Sequence, residues 1–142
     1  MILSNVYYRL SQCDWSLPLE KTYMIVDDDQ ASRFTYIAML ESLGITSVSA
    51  ESSAVALAEC SEKMPDFIIL DWMMPTIDGI EFINYVRKFN GGEKPYIILC
   101  SGKEPDNANV DISLKAGANA FLQKPVRIEQ LKNEIEKSQK NR

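Results

Sequence analysis

Short runs of contiguous apolar residues alternate with longer stretches in which apolar positions recur every three or four residues, from Lys21 almost to the end of the chain. The contiguous runs fall at residues 22–26, 46–50, 66–70, 96–100 and 118–122. Each has the length of a strand and is rich in Val, Ile, Leu, Tyr or Phe. Several are hydrophobic without alternation, the pattern of a strand covered on both faces. Between them the spacing turns helical. Phe34, Ile37, Leu40 and Leu43 share one face, and Gly44 supplies a stop. Ala54, Leu57, Ala58 and Ser61 repeat the pattern before Pro65, and Ile80, Ile83 and Val86 follow an Asp78-Gly79 opening. A shorter, more polar helix is predicted over 107–115. A last one starts near Arg127 and carries Ile128, Leu131 and Ile135 on one side.

Five strands alternating with five helices imply parallel strands joined by right-handed crossovers. The predicted fold is therefore α/β, a doubly wound five-stranded parallel sheet flanked by five helices. Folds of this kind gather ligands at the carboxyl ends of the strands. Residues 1–20 stand outside the alternation: Tyr7, Tyr8, Leu10, Trp15 and Leu17 are too apolar for a plain tail, and Pro18 fits no single element. They read either as an extra element packed on the domain or as a docking or dimerisation segment. The division predicted is an N-terminal extension over 1–20 and one domain over 21–142.

Composition narrows the chemistry. At 142 residues and 46% hydrophobic the chain can build a core of its own. The net charge of −5 argues against a general nucleic-acid surface. The sequence contains no histidine, so imidazole-based nucleophile activation, phosphohistidine and His-bearing metal sites are excluded. Cys13, Cys60 and Cys100 are odd in number and far apart, which favours reduced, mostly buried thiols in a cytoplasmic protein. No apolar stretch reaches the length of a membrane span, and no signal peptide is evident.

Carboxylates mark the carboxyl edge of the predicted sheet. The first strand ends in Asp27-Asp28-Asp29 and the third in Asp71. Acids brought together repel and raise one another's pKa, a conflict that a hard divalent cation such as Mg²⁺ relieves. Asp29 reads better as a cap for the next helix. Asp27, Asp28 and Asp71 read as a site. Ser101-Gly102 follows the fourth strand and Gln123-Lys124-Pro125 the fifth, adding a hydroxyl and an ammonium. Metal, hydroxyl and lysine around one carboxylate form a receptacle for a phosphoryl group bonded to that carboxylate.

These residues resemble a known family, the receiver domains of two-component response regulators with the CheY-like fold. The matching segments are MIVDDD (24–29), IILDWMMPTIDG (68–79), ILCSG (98–102) and KAGANAFLQKP (115–125), in family order and spacing. The resemblance implies that Asp71 is the phosphoacceptor. It implies that Asp28 and Asp71 hold Mg²⁺ directly, with the backbone carbonyl of Met73 as a further ligand and Asp27 acting through water. Ser101 would bond a phosphoryl oxygen and move toward it on activation. Lys124 would pair with another oxygen, its following bond to Pro125 being cis in the family. Phe121 falls at the switch aromatic. The donor would be a sensor histidine kinase or histidine phosphotransfer protein, and the output an unnamed protein target, with neither nucleic acid nor membrane engaged directly. A phosphorylation-dependent homodimer is compatible with the same motifs.

The resulting expectation is a stand-alone receiver, not an enzyme beyond its own phosphorylation and dephosphorylation. Alternatives are a phosphorylation-independent interaction module on the same fold, or the N-terminal receiver of a longer regulator. An Mg²⁺-dependent phosphatase ranks lower: such enzymes place a second Asp two residues after the nucleophile, where this chain has Met73. The small polar residues and Pro105 within 102–109 predict a late-starting or mobile fourth helix.

Overall fold

The computed structural model describes residues 21–140. The expectations for residues 1–20, and for Cys13 within them, lie outside the described residues. The elements alternate strictly: β1 (Tyr23–Val26), α1 (Gln30–Ser42), β2 (Ser47–Ala50), α2 (Ser53–Glu62), β3 (Phe67–Asp71), α3 (Gly79–Lys88), β4 (Tyr96–Ser101), α4 (Asn107–Ala116), β5 (Ala120–Gln123) and α5 (Ile128–Lys140). All strand pairs are parallel, in the order β2-β1-β3-β4-β5. The predicted doubly wound sheet with five helices is the observed one.

Period-two alternation within continuously apolar strands divides the core. Tyr23, Ile25, Phe67, Ile69, Tyr96 and Ile98 pack against Tyr36 and Leu40 of α1 and Leu131 and Ile135 of α5. Met24, Val26, Ile68, Leu70, Ile97 and Leu99 pack against Ala56 and Cys60 of α2 and Phe82, Ile83 and Val86 of α3. The central strands are buried along their whole length because helices cover both sides. Each fully buried Ile or Leu contributes roughly 1.5–3 kcal/mol of transfer free energy. Cys60 and Cys100 are buried free thiols, and burial, the dominant cause for each, pushes them up to about 11 and about 12.

Local chemistry sets the boundaries. Side chains of Asp29, Ser52, Asp78 and Asp106 each cap a helix by accepting a backbone N–H three residues on. The fourth helix does start late, after Pro105, where Asp106 supplies the first cap. β5 begins two residues later than its apolar run. Ala118 N–H is spent on the carbonyl of Ser113, and Asn119 brackets Ile97 by donating its N–H to the Ile97 carbonyl and accepting Ile97 N–H on Oδ1. β3 and β4 each end one residue later than expected, carrying Asp71 and Ser101 into the sheet itself.

One arginine fastens the far side. Arg87, in the last turn of α3, donates to the carbonyl of Gly117 from Nε (3.1 Å) and Nη2 (2.6 Å). Its Nη1 reaches the carbonyls of Gly92 (2.9 Å) and Pro95 (2.8 Å). Gly117 closes α4 at φ 118°, a conformation suited to glycine, and a Cβ there would stand 3.0 Å from Arg87 Cγ. The end of α3, the entry to β4 and the end of α4 are thus one unit. Among the described residues no helix is long and apolar enough to cross a membrane.

Candidate functional site

β1 and β3 are neighbours in register, Val26 opposite Leu70, so the residues just beyond them emerge side by side. Asp27 and Asp71 continue the alternation of Ile25 and Ile69 and turn to the same side of the sheet edge. Carboxylate oxygens of Asp27, Asp28 and Asp71 all lie within 4.8 Å of one another. Asp27 is 1% exposed, Asp71 7%, and Asp28 is on the surface. Three acids this close, two of them buried, need positive charge. A set of hard oxygen donors around one open side fits a divalent cation such as Mg²⁺.

Lys124 brings part of that charge. Its ammonium contacts Asp27 Oδ2 at 3.0 Å and Asp71 Oδ1 at 3.1 Å, spanning the two strand ends from the other flank. A backbone bond holds it there, Lys124 N–H donating to the carbonyl of Ser101 at 2.7 Å; the Lys124–Pro125 bond that follows is cis. Burial works against the ammonium, yet the hydrogen bonds to Asp27 and Asp71 outweigh it and raise the Lys124 pKa. Asp71 is raised as well. Burial is the leading cause and the Asp27 charge the next, with Lys124 opposing both. The carboxylate on which the chemistry was expected is the one left under-compensated.

The remaining expected residues fall around this centre with distinct surroundings. Ser101 is fully buried at the end of β4, its Oγ accepting the N–H of Lys103 at 3.1 Å. Met73 opens the β3–α3 connection with its side chain exposed. Phe121 is half-buried on β5 and meets the ring of Trp72 edge-on, centroids 6.0 Å apart. Asp29 is not a member of the cluster; it accepts from Ser32 N–H and Oγ–H, and these bonds, the hydroxyl's first, lower its pKa. Asp27 Oδ1 in turn accepts Asp29 N–H at 2.9 Å, tying the acid to the start of α1.

Three neighbours escaped the sequence reading. Arg33 Nη1 donates to the carbonyl of Asp27 at 2.7 Å, from a helix position that only the fold places above the β1 end. Trp72 follows Asp71 directly, and Lys103 Nζ sits 5.6 Å from its ring centroid, so a cation waits on an aromatic face beside the site. Tyr36 lies buried beneath the cluster, where burial and the Cys100 thiol raise its pKa. Arg33 looks like an ordinary helix residue in one dimension, and the other two like core residues.

The β3–α3 connection is tightly wound. Met74 N–H returns to the Trp72 carbonyl (3.1 Å), Ile77 N–H to Pro75 (2.8 Å), and Gly79 N–H to Trp72 again (2.8 Å). Thr76 sits at φ 71°, a strained conformation for a β-branched residue. Gly79 packs so closely that a Cβ would lie 2.8 Å from the Asp71 carbonyl oxygen and 2.7 Å from Leu99 Cδ1.

Residues 23–136 match the response regulator receiver domain family. The KDP operon transcriptional regulatory protein KdpE of Escherichia coli is 37% identical over 108 residues, 76% of this chain and 46% of that protein. The phosphate regulon transcriptional regulatory protein PhoB of Pseudomonas aeruginosa is 34% identical over 106 residues, 74% of this chain and 45% of its own. This chain therefore spans about half the length of these curated relatives. Among solved structures, the chemotaxis protein CheY4 of Vibrio cholerae superposes with a TM-score of 0.77 at 25% identity, covering 83% of this chain and 98% of its own.

Proposed function

The chain belongs to the response regulator receiver domain family, and on that premise we propose that Asp71 accepts a phosphoryl group from a partner's phosphohistidine in an Mg²⁺-dependent reaction. One observation carries the reading: Lys124 bridges Asp27 and Asp71 at a point where three carboxylates converge. An Asp71 oxygen attacks phosphorus, the phosphorus–nitrogen bond breaks, and the imidazole leaves with its electron pair. These 142 residues contain no histidine, so the phosphohistidine lies outside them, on a histidine kinase or a phosphotransfer protein. Asp28, Asp71 and the Met73 carbonyl would hold Mg²⁺, and Asp27, already engaged by Lys124 and Asp29 N–H, would act through water. The cation's contribution when bound is to neutralise charge on the transferring oxygens.

The chain's own groups do the rest. Lys124 keeps an ammonium where a phosphoryl oxygen would arrive, and Ser101 offers a hydroxyl on the adjacent strand. Phe121 and Trp72 form the aromatic contact through which a change at Ser101 would reach the β5 surface. The receiver unit is residues 21–142, with 1–20 as an extension, and it signals by changing protein partners or relaying phosphate. It is a signalling domain and not an enzyme acting on a separate substrate. With a net charge of −5, its output is assigned to protein contacts rather than to nucleic acid.

Intact mass after incubation with a small acyl phosphate, with and without Mg²⁺, tests the assignment. A single phosphoryl-sized gain that requires Mg²⁺ and disappears in Asp71→Asn is expected. No gain under conditions that label another receiver would favour a phosphorylation-independent interaction module.

A further inference from the structure

The groups expected to hold Mg²⁺ come from two separate pieces of chain. Asp28 follows β1, whereas Asp71 ends β3 and Met73 lies in the connection beyond it. Ladder pairing fixes the two strands only as far as Val26 opposite Leu70. Past that point the connection 72–78 is held by bonds within itself and by Trp72 N–H on the Cys100 carbonyl, toward β4. A contact from the β1–β2 side is supplied by Ser53. This serine is 3% exposed in the first turn of α2, and its hydroxyl donates to the Ile77 carbonyl at 2.8 Å, with Met74 Sδ at 3.9 Å. α2 begins just after β2, whose last residue, Ala50, accepts Asp27 N–H at 3.2 Å. A short route of bonds thus runs from Asp27 through Ala50 and Ser53 to the connection bearing Met73.

We propose that Ser53 is a positioning residue for the cation site, clamping the β3–α3 connection against the β1 side so that Met73's carbonyl and Asp28 stay at a fixed separation. The inference rests on the Mg²⁺ reading above. Its chemistry follows from the strain nearby. With Thr76 at φ 71° the connection is wound against its own preference, and an anchor at Ile77 keeps it from relaxing. Mg²⁺ demands near-ideal octahedral geometry, so a ligand allowed to drift costs affinity more than it would for a larger cation.

The neighbouring serine is a built-in control. Ser52 caps α2 through Val55 N–H at 3.2 Å and has no bond to the connection. Titration of the full chain with MgCl₂ by calorimetry, alongside thermal melts in EDTA, separates the roles. Ser53→Ala should raise the Mg²⁺ dissociation constant on the order of tenfold, with Ser53→Cys, a weaker donor of similar size, falling between. Ser52→Ala should lower the melting temperature and leave Mg²⁺ affinity unchanged. At saturating Mg²⁺, Ser53→Ala should regain the wild-type extent of labelling by acyl phosphate. Wild-type affinity in Ser53→Ala, or equal losses in the two alanine variants, would overturn the proposal while leaving the phosphoacceptor reading standing. A wild-type chain that takes up no Mg²⁺ would overturn both.

Discussion

Two aspartates bracket β3, five residues apart, and their surroundings are opposites. Asp66, at the amino end, accepts Thr22 N–H at 2.8 Å and Thr22 Oγ1–H at 3.3 Å, with Lys94 Nζ at 3.4 Å from its other oxygen. Burial alone would raise its pKa, but the Thr22 hydrogen bond and Lys94 together carry it below the ordinary value. Asp71, at the carboxyl end, is raised by burial and by Asp27, with Lys124 as partial compensation. The same side chain is a satisfied joint at one edge and a destabilised carboxylate at the other. What separates them is the supply of donors: the amino edge satisfies its acid locally, whereas the carboxyl edge leaves a deficit for a ligand to fill.

The sharpest way to break this contrast is Asp71→Asn. Phosphoryl labelling should vanish, while the melting temperature in metal-free buffer at neutral pH should hold or rise. The sign follows from linkage: a carboxyl whose folded pKa is raised above 3.8 weakens the fold once ionised, and the amide removes that term. The gain should shrink as pH falls through the raised folded value and be gone below about 4, where both states of the wild-type residue are protonated. An unfolded Asp71→Asn would instead make this residue a structural one. Lys124→Ala tests the partial compensation. It should leave Mg²⁺ binding largely intact and impair the phosphorylated form's response, read as loss of the phosphorylation-dependent shift in Trp fluorescence.

At the other edge the prediction reverses. Asp66→Ala should destabilise by about 1–3 kcal/mol, since it strips a part-buried acceptor from Thr22. Labelling of Asp71 should persist. Asp66 is lowered in the fold, so its stabilisation is present above the unfolded value of 3.8 and lost as pH falls through the lower folded value. Urea unfolding of wild type and Asp66→Asn from pH 7 downward should therefore converge under acid. The smallest effect belongs to Thr76→Gly, expected to stabilise by about 1 kcal/mol by relieving the left-handed backbone, less the entropy glycine loses on folding. Equal melting temperatures would show that the connection carries no such strain.

Much of this was legible in the chain because it depended on period and order. Apolar runs buried on both faces are visible as unbroken hydrophobic segments, and parallel order follows from alternation, so the strand ends and their acids could be aligned before any coordinates. Asp29 could be assigned to a helix cap for the same local reason. What stayed hidden depends on where crossovers deliver side chains. Ser53 reads as an ordinary first-turn serine until α2 is packed beside 72–78, and Trp72 as core until Lys103 lies on its face. Asp66 gave no sign of its role, because its partners Thr22 and Lys94 are distant in sequence and belong to neighbouring segments of the amino edge.

The Arg87 clamp gives the fourth helix the mechanics of a lever. Its guanidinium fixes Gly117, the residue that closes α4, to the end of α3 and the entry to β4. The opposite end is approached through exposed residues 102–106, beginning one residue after Ser101. Such a helix is pinned at its Ala116 end, whereas its Asn107 end is held by its own cap at Asp106. Were Ser101 to move, a helix pinned at Ala116 would swing about that end, with travel growing along its ten residues toward the amino end. Ile112 and Leu114, half exposed along that helix, would sweep through different arcs for the same input. A partner reading Ile112 would experience a larger gesture than one reading Leu114.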